Sequence, residues 1–161
     1  MKKVIVGVLV ATGLFGALFE QGSKNVGVTM GAGSSYGSNY TIIGVNASYF
    51  LMDNLMTGLE YRGWFGGDPM INEISVPVTY IVPIHEKFRP YAGAFVRRTF
   101  FDNSHYDNYN VYGARVGVSM ITSGNSYASF GWVQEYYDRD CGILDCDTSS
   151  GYPEIAVGLS F

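Results

Sequence analysis

From Val26 onward the chain alternates apolar with small or polar residues, segment after segment, at a period of two. The ending is the sharpest case. Ile155, Val157, Leu159 and Phe161 fall on one side of an extended strand, and Glu154, Ala156, Gly158 and Ser160 on the other. A water-soluble sheet gains nothing from a terminal exposed Phe, whereas a closed barrel can rest that ring at a lipid–water boundary. Helices need a period of about 3.6 residues, and no segment shows one convincingly. The alternation therefore restricts the chain to a β-sheet with two chemically distinct faces.

The same pattern predicts seven earlier strands. Val26–Ser34 sets Val26, Val28, Met30 and Ala32 against Gly27, Thr29, Gly31 and Gly33. Tyr40–Leu51 sets Ile43, Val45, Ala47, Tyr49 and Leu51 against Gly44, Asn46 and Ser48. In Leu55–Phe65, Leu55, Thr57, Leu59 and Tyr61 oppose Gly58, Glu60, Arg62 and Trp64. Glu73–Val82 carries Ile74, Val76, Val78, Tyr80 and Val82 on its apolar face. Its Pro77 falls in mid-strand, where a missing N–H predicts a bulge or local irregularity. Tyr91–Phe100 leaves its phase open, because Arg97 and Arg98 are adjacent. Tyr112–Ile121 and Tyr127–Tyr136 are regular, with Arg115 and Glu135 on their polar faces. Short turns at Met52–Asn54, Pro83–Pro90 and Thr122–Asn125 would share one end of a barrel. Ser35–Asn39, Gly66–Asn72, Asp102–Asn110 and Asp138–Gly151 would share the other.

Composition sets the environment. Charged residues make up 15% of the chain, against roughly 25% in ordinary soluble domains. There are 13 Tyr, 10 Phe and 21 Gly in 161 residues, enough for one domain. The polar face is Gly, Ser, Asn and Thr with isolated charges, the lining of a confined interior. Met1-Lys2-Lys3 followed by Val4–Ala11 reads as the charged start and apolar core of a secretory leader. Residues 1–19 are expected to form that leader, with Ala17 the better-placed small residue for cleavage, and 20–161 the barrel. Losing Lys2 and Lys3 takes the side-chain charge from −4 to −6, which argues against a nucleic-acid partner.

Three stretches resemble small outer-membrane barrels of the OmpA/OmpX-like superfamily. They are the hairpin Tyr49-Phe50-Leu51-Met52-Asp53-Asn54-Leu55-Met56-Thr57-Gly58-Leu59-Glu60-Tyr61, the strand entry Phe88-Arg89-Pro90-Tyr91-Ala92-Gly93-Ala94, and the terminal strand. That strand is similar to the signal read by the barrel-assembly machinery, with Glu154, Leu159 and Phe161, and departs from it in having Ala156 where Gly is usual. The resemblance implies an all-β, eight-stranded antiparallel up-and-down transmembrane barrel, inserted by that machinery and monomeric. It implies outer-membrane lipid and lipopolysaccharide as surroundings and carries over no catalytic residue.

Inward charges at Glu60, Arg62, Arg115, Glu135 and Glu154 would come at similar depths and would have to pair, because an isolated buried charge is costly. Arg97 or Arg98 would join them. Such a network would plug the lumen. Cys141 and Cys146 lie close together in an exported chain and are expected to form a loop disulfide, worth about 2 kcal/mol on the chain-entropy model. Tyr36, Tyr61, Phe65, Tyr112, Trp132 and Tyr136 are expected to form an aromatic girdle.

Two competing readings remain open. A soluble secreted, lipocalin-like binder would hide the apolar face and show water the polar one. A lipid-A-modifying enzyme would need a Ser nucleophile with a His base. His85 falls beside Glu86 and Lys87 in a turn, and His105 follows Ser104 in a polar loop; both read as solvated. The acidic residues Asp102, Asp107, Asp138, Asp140, Asp145 and Asp147 match no calcium-loop spacing, so neither metal nor cofactor is expected.

Overall fold

The computed structural model describes residues 18–102, 107–137 and 148–161. Eight strands follow in order: β1 (Lys24–Ser35), β2 (Ser38–Met52), β3 (Leu55–Phe65), β4 (Ile71–Ile81), β5 (Phe88–Phe101), β6 (Tyr109–Ser123), β7 (Ser126–Tyr137) and β8 (Ser149–Ser160). Each is antiparallel to the next, and β8 returns to β1 with Asn25 opposite Ser160 and Gly31 opposite Glu154, closing the barrel. Closure removes every sheet edge, so each strand finds ladder partners on both sides.

Orientation follows the alternation. Leu59, Val96 and Phe130 are more than 60% exposed, and Val28, Val45, Val118 and Val157 face outward with them on their own strands. A continuous apolar belt of that kind around a whole molecule far exceeds the patches soluble monomers expose. It is a surface for lipid. The soluble alternative required the reverse orientation and is excluded. At the juncture the sequence left open, Arg97 points inward and is buried while Arg98 points outward.

The turns have local causes. Tyr36 and Gly37, between β1 and β2, have φ of 51° and 73°, and two successive left-handed residues match the right-handed twist of a hairpin. Asn54 turns β2 into β3 with φ 65°, next to a register shift between Phe50 and Met52. Pro77 produces no bulge. Thr57 opposite Val78 and Glu60 opposite Ser75 keep one register, and only the pairs between them drop out of the β3–β4 ladder. On the β5 side pairing runs unbroken through Pro77 and Phe95. The Pro77 carbonyl points toward β3, where the Thr57 hydroxyl donates to it at 2.9 Å, so the missing N–H is confined to that seam.

The interior is less polar than the alternation suggested. Toward the end bearing the long loops, Tyr40, Ile42, Trp64, Phe95, Val111 and Tyr152 pack together. Toward the short-turn end, Phe50, Ile81 and Tyr127 meet Phe19, which precedes β1. An eight-stranded barrel is just wide enough for side chains to fill it. Large residues near both ends complete that filling and leave the ionic groups in a middle layer.

Candidate functional site in the barrel lumen

Seven charged side chains from six strands meet in that middle layer. On one side, the Arg62 guanidinium donates through Nε to Glu60 at 2.7 Å and through Nη2 to Glu154. Arg115 adds a second cation, 2.8 Å from Glu60 and 3.6 Å from Glu154. On the other side, Arg97 pairs with Glu135 and lies 3.1 Å from Glu73, whose carboxylate also accepts from Trp64 Nε1 at 2.9 Å. Tyr152 joins the two halves. Its hydroxyl donates to Glu135 at 2.5 Å and accepts from Arg62 at 2.7 Å and Arg97 at 3.3 Å.

Local sequence explains the geometry. Glu60 and Arg62 are two apart on β3, so they project from one face and their charges meet. Across the β3–β4 seam Arg62 is opposite Glu73, and across the β6–β7 seam Gly113 is opposite Glu135. A side chain at Gly113 would meet the Phe95 ring, which lies flat beneath Arg97 at 4.4 Å. Arg62, Glu60 and Glu135 are each no more than 2% exposed. At that burial a pairwise arrangement with further hydrogen bonds is what makes charge tolerable.

The structure thus brings together Glu60, Arg62, Arg115, Glu135 and Glu154 and adds two groups the sequence reading left out, Glu73 and Tyr152. Glu73 shares a face with Ser75, Pro77 and Thr79, and that parity was available from the sequence. Nothing in sequence marked Tyr152 as a bridge between two arginines, because that contact crosses the lumen.

Beneath the ionic layer lies a cavity of about 60 Å³ lined by Thr29, Ser48, Thr79, Arg115, Ser119 and Ser129, among others. That is room for on the order of four waters. Its floor is Phe19, 1% exposed, edge-on to Phe50 and Tyr127 with ring centroids 5.8 Å away in both cases. Phe19 takes the left-handed backbone conformation at φ 71°, and Asn54 N donates to its carbonyl at 2.8 Å. Gln21 continues this cap, its N–H donating to Asp53 at 2.9 Å. Phe19, Gln21, Asp53 and Asn54 thus form one packed cap beneath the cavity.

Other expected residues distribute differently. Tyr61, Phe65, Tyr112, Trp132 and Tyr136 all face outward, and Tyr112 stacks on Tyr136 at 5.8 Å. Tyr36 does not join that girdle. Its tight turn swings it over the lumen, edge-on to Phe101 at 5.6 Å and against the inner apolar cluster. His85 is exposed, with Nδ1 accepting from the Lys87 N–H at 3.1 Å. Leu159 and Phe161 face outward and Glu154 inward. Cys141, Cys146, Ser104, His105, Asp138, Asp140, Asp145, Asp147 and residues 1–17 lie outside the described residues.

A closed eight-stranded barrel with a lipid-facing belt, a filled lumen and an outward aromatic girdle defines the class of small outer-membrane β-barrel proteins. Its backbone is similar to the N-terminal barrel domain of Pseudomonas aeruginosa OprF, with a TM-score of 0.70 at 17% identity over 88% of this chain and 98% of that one. Neisserial surface protein A is similar at a TM-score of 0.65 and 15% identity, covering 86% of this chain and 96% of its own. No family model matches. Sequence gives the particular family. Outer membrane protein W of Escherichia coli is 30% identical over 191 aligned residues, covering 94% of this chain and 88% of that protein, and the protein of the same name from Shigella flexneri matches equally. The chain belongs to the outer membrane protein W family and is an outer-membrane protein.

Proposed function

We propose that this barrel serves a structural or surface-interaction role in the outer membrane, as a monomer without enzymatic chemistry and with a lumen closed to bulk conduction. The observation that carries this reading is the ionic layer itself. Seven charged groups and Tyr152 span the interior, each carboxylate paired with at least one guanidinium, with apolar packing toward both ends. A conducting barrel needs a continuous wet path, whereas the cavity beneath this layer has room for only a few waters. His85, in a solvated turn, offers no base for acyl chemistry at a buried nucleophile. Interaction then falls to the outer loops and to the lipid-facing wall, including lipopolysaccharide in the outer leaflet.

Three further assignments belong to this reading. Glu154, Leu159 and Phe161 act as the signal for the barrel-assembly machinery. Cys141 and Cys146 close a disulfide in the last outer loop. The leader ends ahead of Leu18, at Ala17, because Phe19 is needed to floor the cavity. Planar-bilayer recording tests the central claim: the purified barrel should give no steady conductance, and stable large channel steps would overturn it.

A further inference from the structure

The outward wall carries almost no charge. Among the described strand residues, Lys24 and Arg98 are the charged side chains on it, and every other one faces the lumen. Arg98 is ten positions beyond Phe88 on β5. At a rise of about 3.3 Å per residue and a strand tilt of about 40°, that separation is about 25 Å along the membrane normal, the height of the apolar band such barrels present. Phe88 lies at the short-turn edge of the band, so Arg98 lies at the opposite edge, on the side of the long loops. A cation at mid-bilayer is strongly destabilising, and at the interface it is tolerated.

The surroundings of Arg98 are donors. Asn110 is directly opposite on β6, and its Oδ1 accepts from Arg98 Nη1 at 2.9 Å. On β4, Asn72 is opposite Phe100 and so diagonal to Arg98, and its Oδ1 accepts from the Tyr61 hydroxyl at 2.7 Å. Both amide oxygens thereby accept a hydrogen bond, and the two carboxamide NH₂ groups and the rest of the guanidinium fork remain as donors on this outward face, where Arg98 and Asn110 are exposed and Asn72 half-buried. Phe100 and Tyr112 flank the group as exposed rings. A cluster of N–H donors around a planar guanidinium, at the polar edge of a lipid belt, matches a phosphate oxyanion attached to a hydrophobic body.

We propose that Arg98, with Asn110 and Asn72, binds a phosphate of the phosphorylated glycolipid (lipid A) that forms the outer leaflet. This rests on the outer-membrane orientation given above and adds to it a specific lipid contact. Native mass spectrometry of the refolded barrel in detergent tests it, titrating bisphosphorylated lipid A, with phosphatidylethanolamine as the comparison lipid. The wild-type barrel should retain lipid A preferentially. R98Q should weaken that retention about tenfold, the loss expected for a charge-assisted hydrogen bond. R98K should fall between, keeping charge without the fork, and K24Q should bind as wild type. Equal lipid A binding by R98Q and wild type overturns the site, and so does equal loss in K24Q. Full displacement by millimolar inorganic phosphate also overturns it, because the site would then serve a free anion. Heat-modifiable migration of R98Q separates the two levels: a folded variant with unchanged binding sinks only the phosphate site. A wild-type barrel that fails to fold in lipid sinks the reading beneath it.

Discussion

Arg97→Met is the sharpest test of the lumenal network, because the two halves of that network are not balanced alike. Around Tyr152, one half holds Arg62 and Arg115 with Glu60 and Glu154; the other holds Arg97 alone with Glu73 and Glu135. Removing Arg115 leaves both of its carboxylates on Arg62, for a loss of about 2 kcal/mol, the scale of a hydrogen bond to a charged group. Removing Arg97 strands two buried carboxylates together, leaving Trp64 Nε1 and the Tyr152 hydroxyl as neutral donors to them. Breaking a buried pair from one side costs about 3–5 kcal/mol. The expected order is therefore R97M well below R115M. The triple variant R97M/E73Q/E135Q should recover most of the loss, since uncharged amides still accept from Trp64 and Tyr152. Equilibrium urea unfolding in phosphatidylcholine vesicles measures all three, and Trp64 reports directly from the affected half. If R115M is as damaging as R97M, or if the triple variant is no more stable than R97M, then charge pairing is not what holds this layer.

Pro77→Thr should stabilise the barrel by about 0.5–1.5 kcal/mol in the same unfolding assay, by restoring one ladder hydrogen bond to β3 in a register that is already correct; a loss of stability would mean the seam is shaped by the ring. Phe19→Ala should destabilise by about 3–5 kcal/mol, the range for a buried Phe, and open the cavity from below. In a background with Cys141 and Cys146 changed to Ser, a cysteine at Ser129 should then react faster with a small thiol reagent, and an unchanged rate would argue against Phe19 as the floor. Gly58→Ala places a Cβ 2.2 Å from the Ala47 carbonyl oxygen and 2.6 Å from Ser48 Cα, both backbone atoms that cannot step aside. Its cost should be about 1–3 kcal/mol, whereas Gly124→Asn, in an open turn, should fold as wild type.

Parity explains how much of this was legible beforehand. A period of two fixes which face a residue occupies, so the outward belt and the inward Glu60, Arg62, Arg115 and Glu154 follow from counting along each strand. Counting fails where two like residues are adjacent, and at Arg97 and Arg98 only the closed sheet decides. There Arg97 is pulled inward by Glu73 and Glu135, and Arg98 is left at the lipid edge. Counting is also blind to what lies across the lumen. Tyr152 is an inward residue on β8, but its two arginines come from β3 and β5, 90 and 55 positions away in sequence. The inner floor was hidden for a third reason. Phe19 precedes any alternation and sits in apolar sequence that reads as leader, so only its packing against Phe50 and Tyr127 separates it from the segment before it. The face a side chain takes is written locally, one strand at a time. Its partner in a barrel this narrow is set by the shear and closure of all eight strands together, which no single segment encodes. That is why the membrane assignment was within reach of the sequence, while the wiring of the plug and the lipid-facing Arg98 required the closed structure.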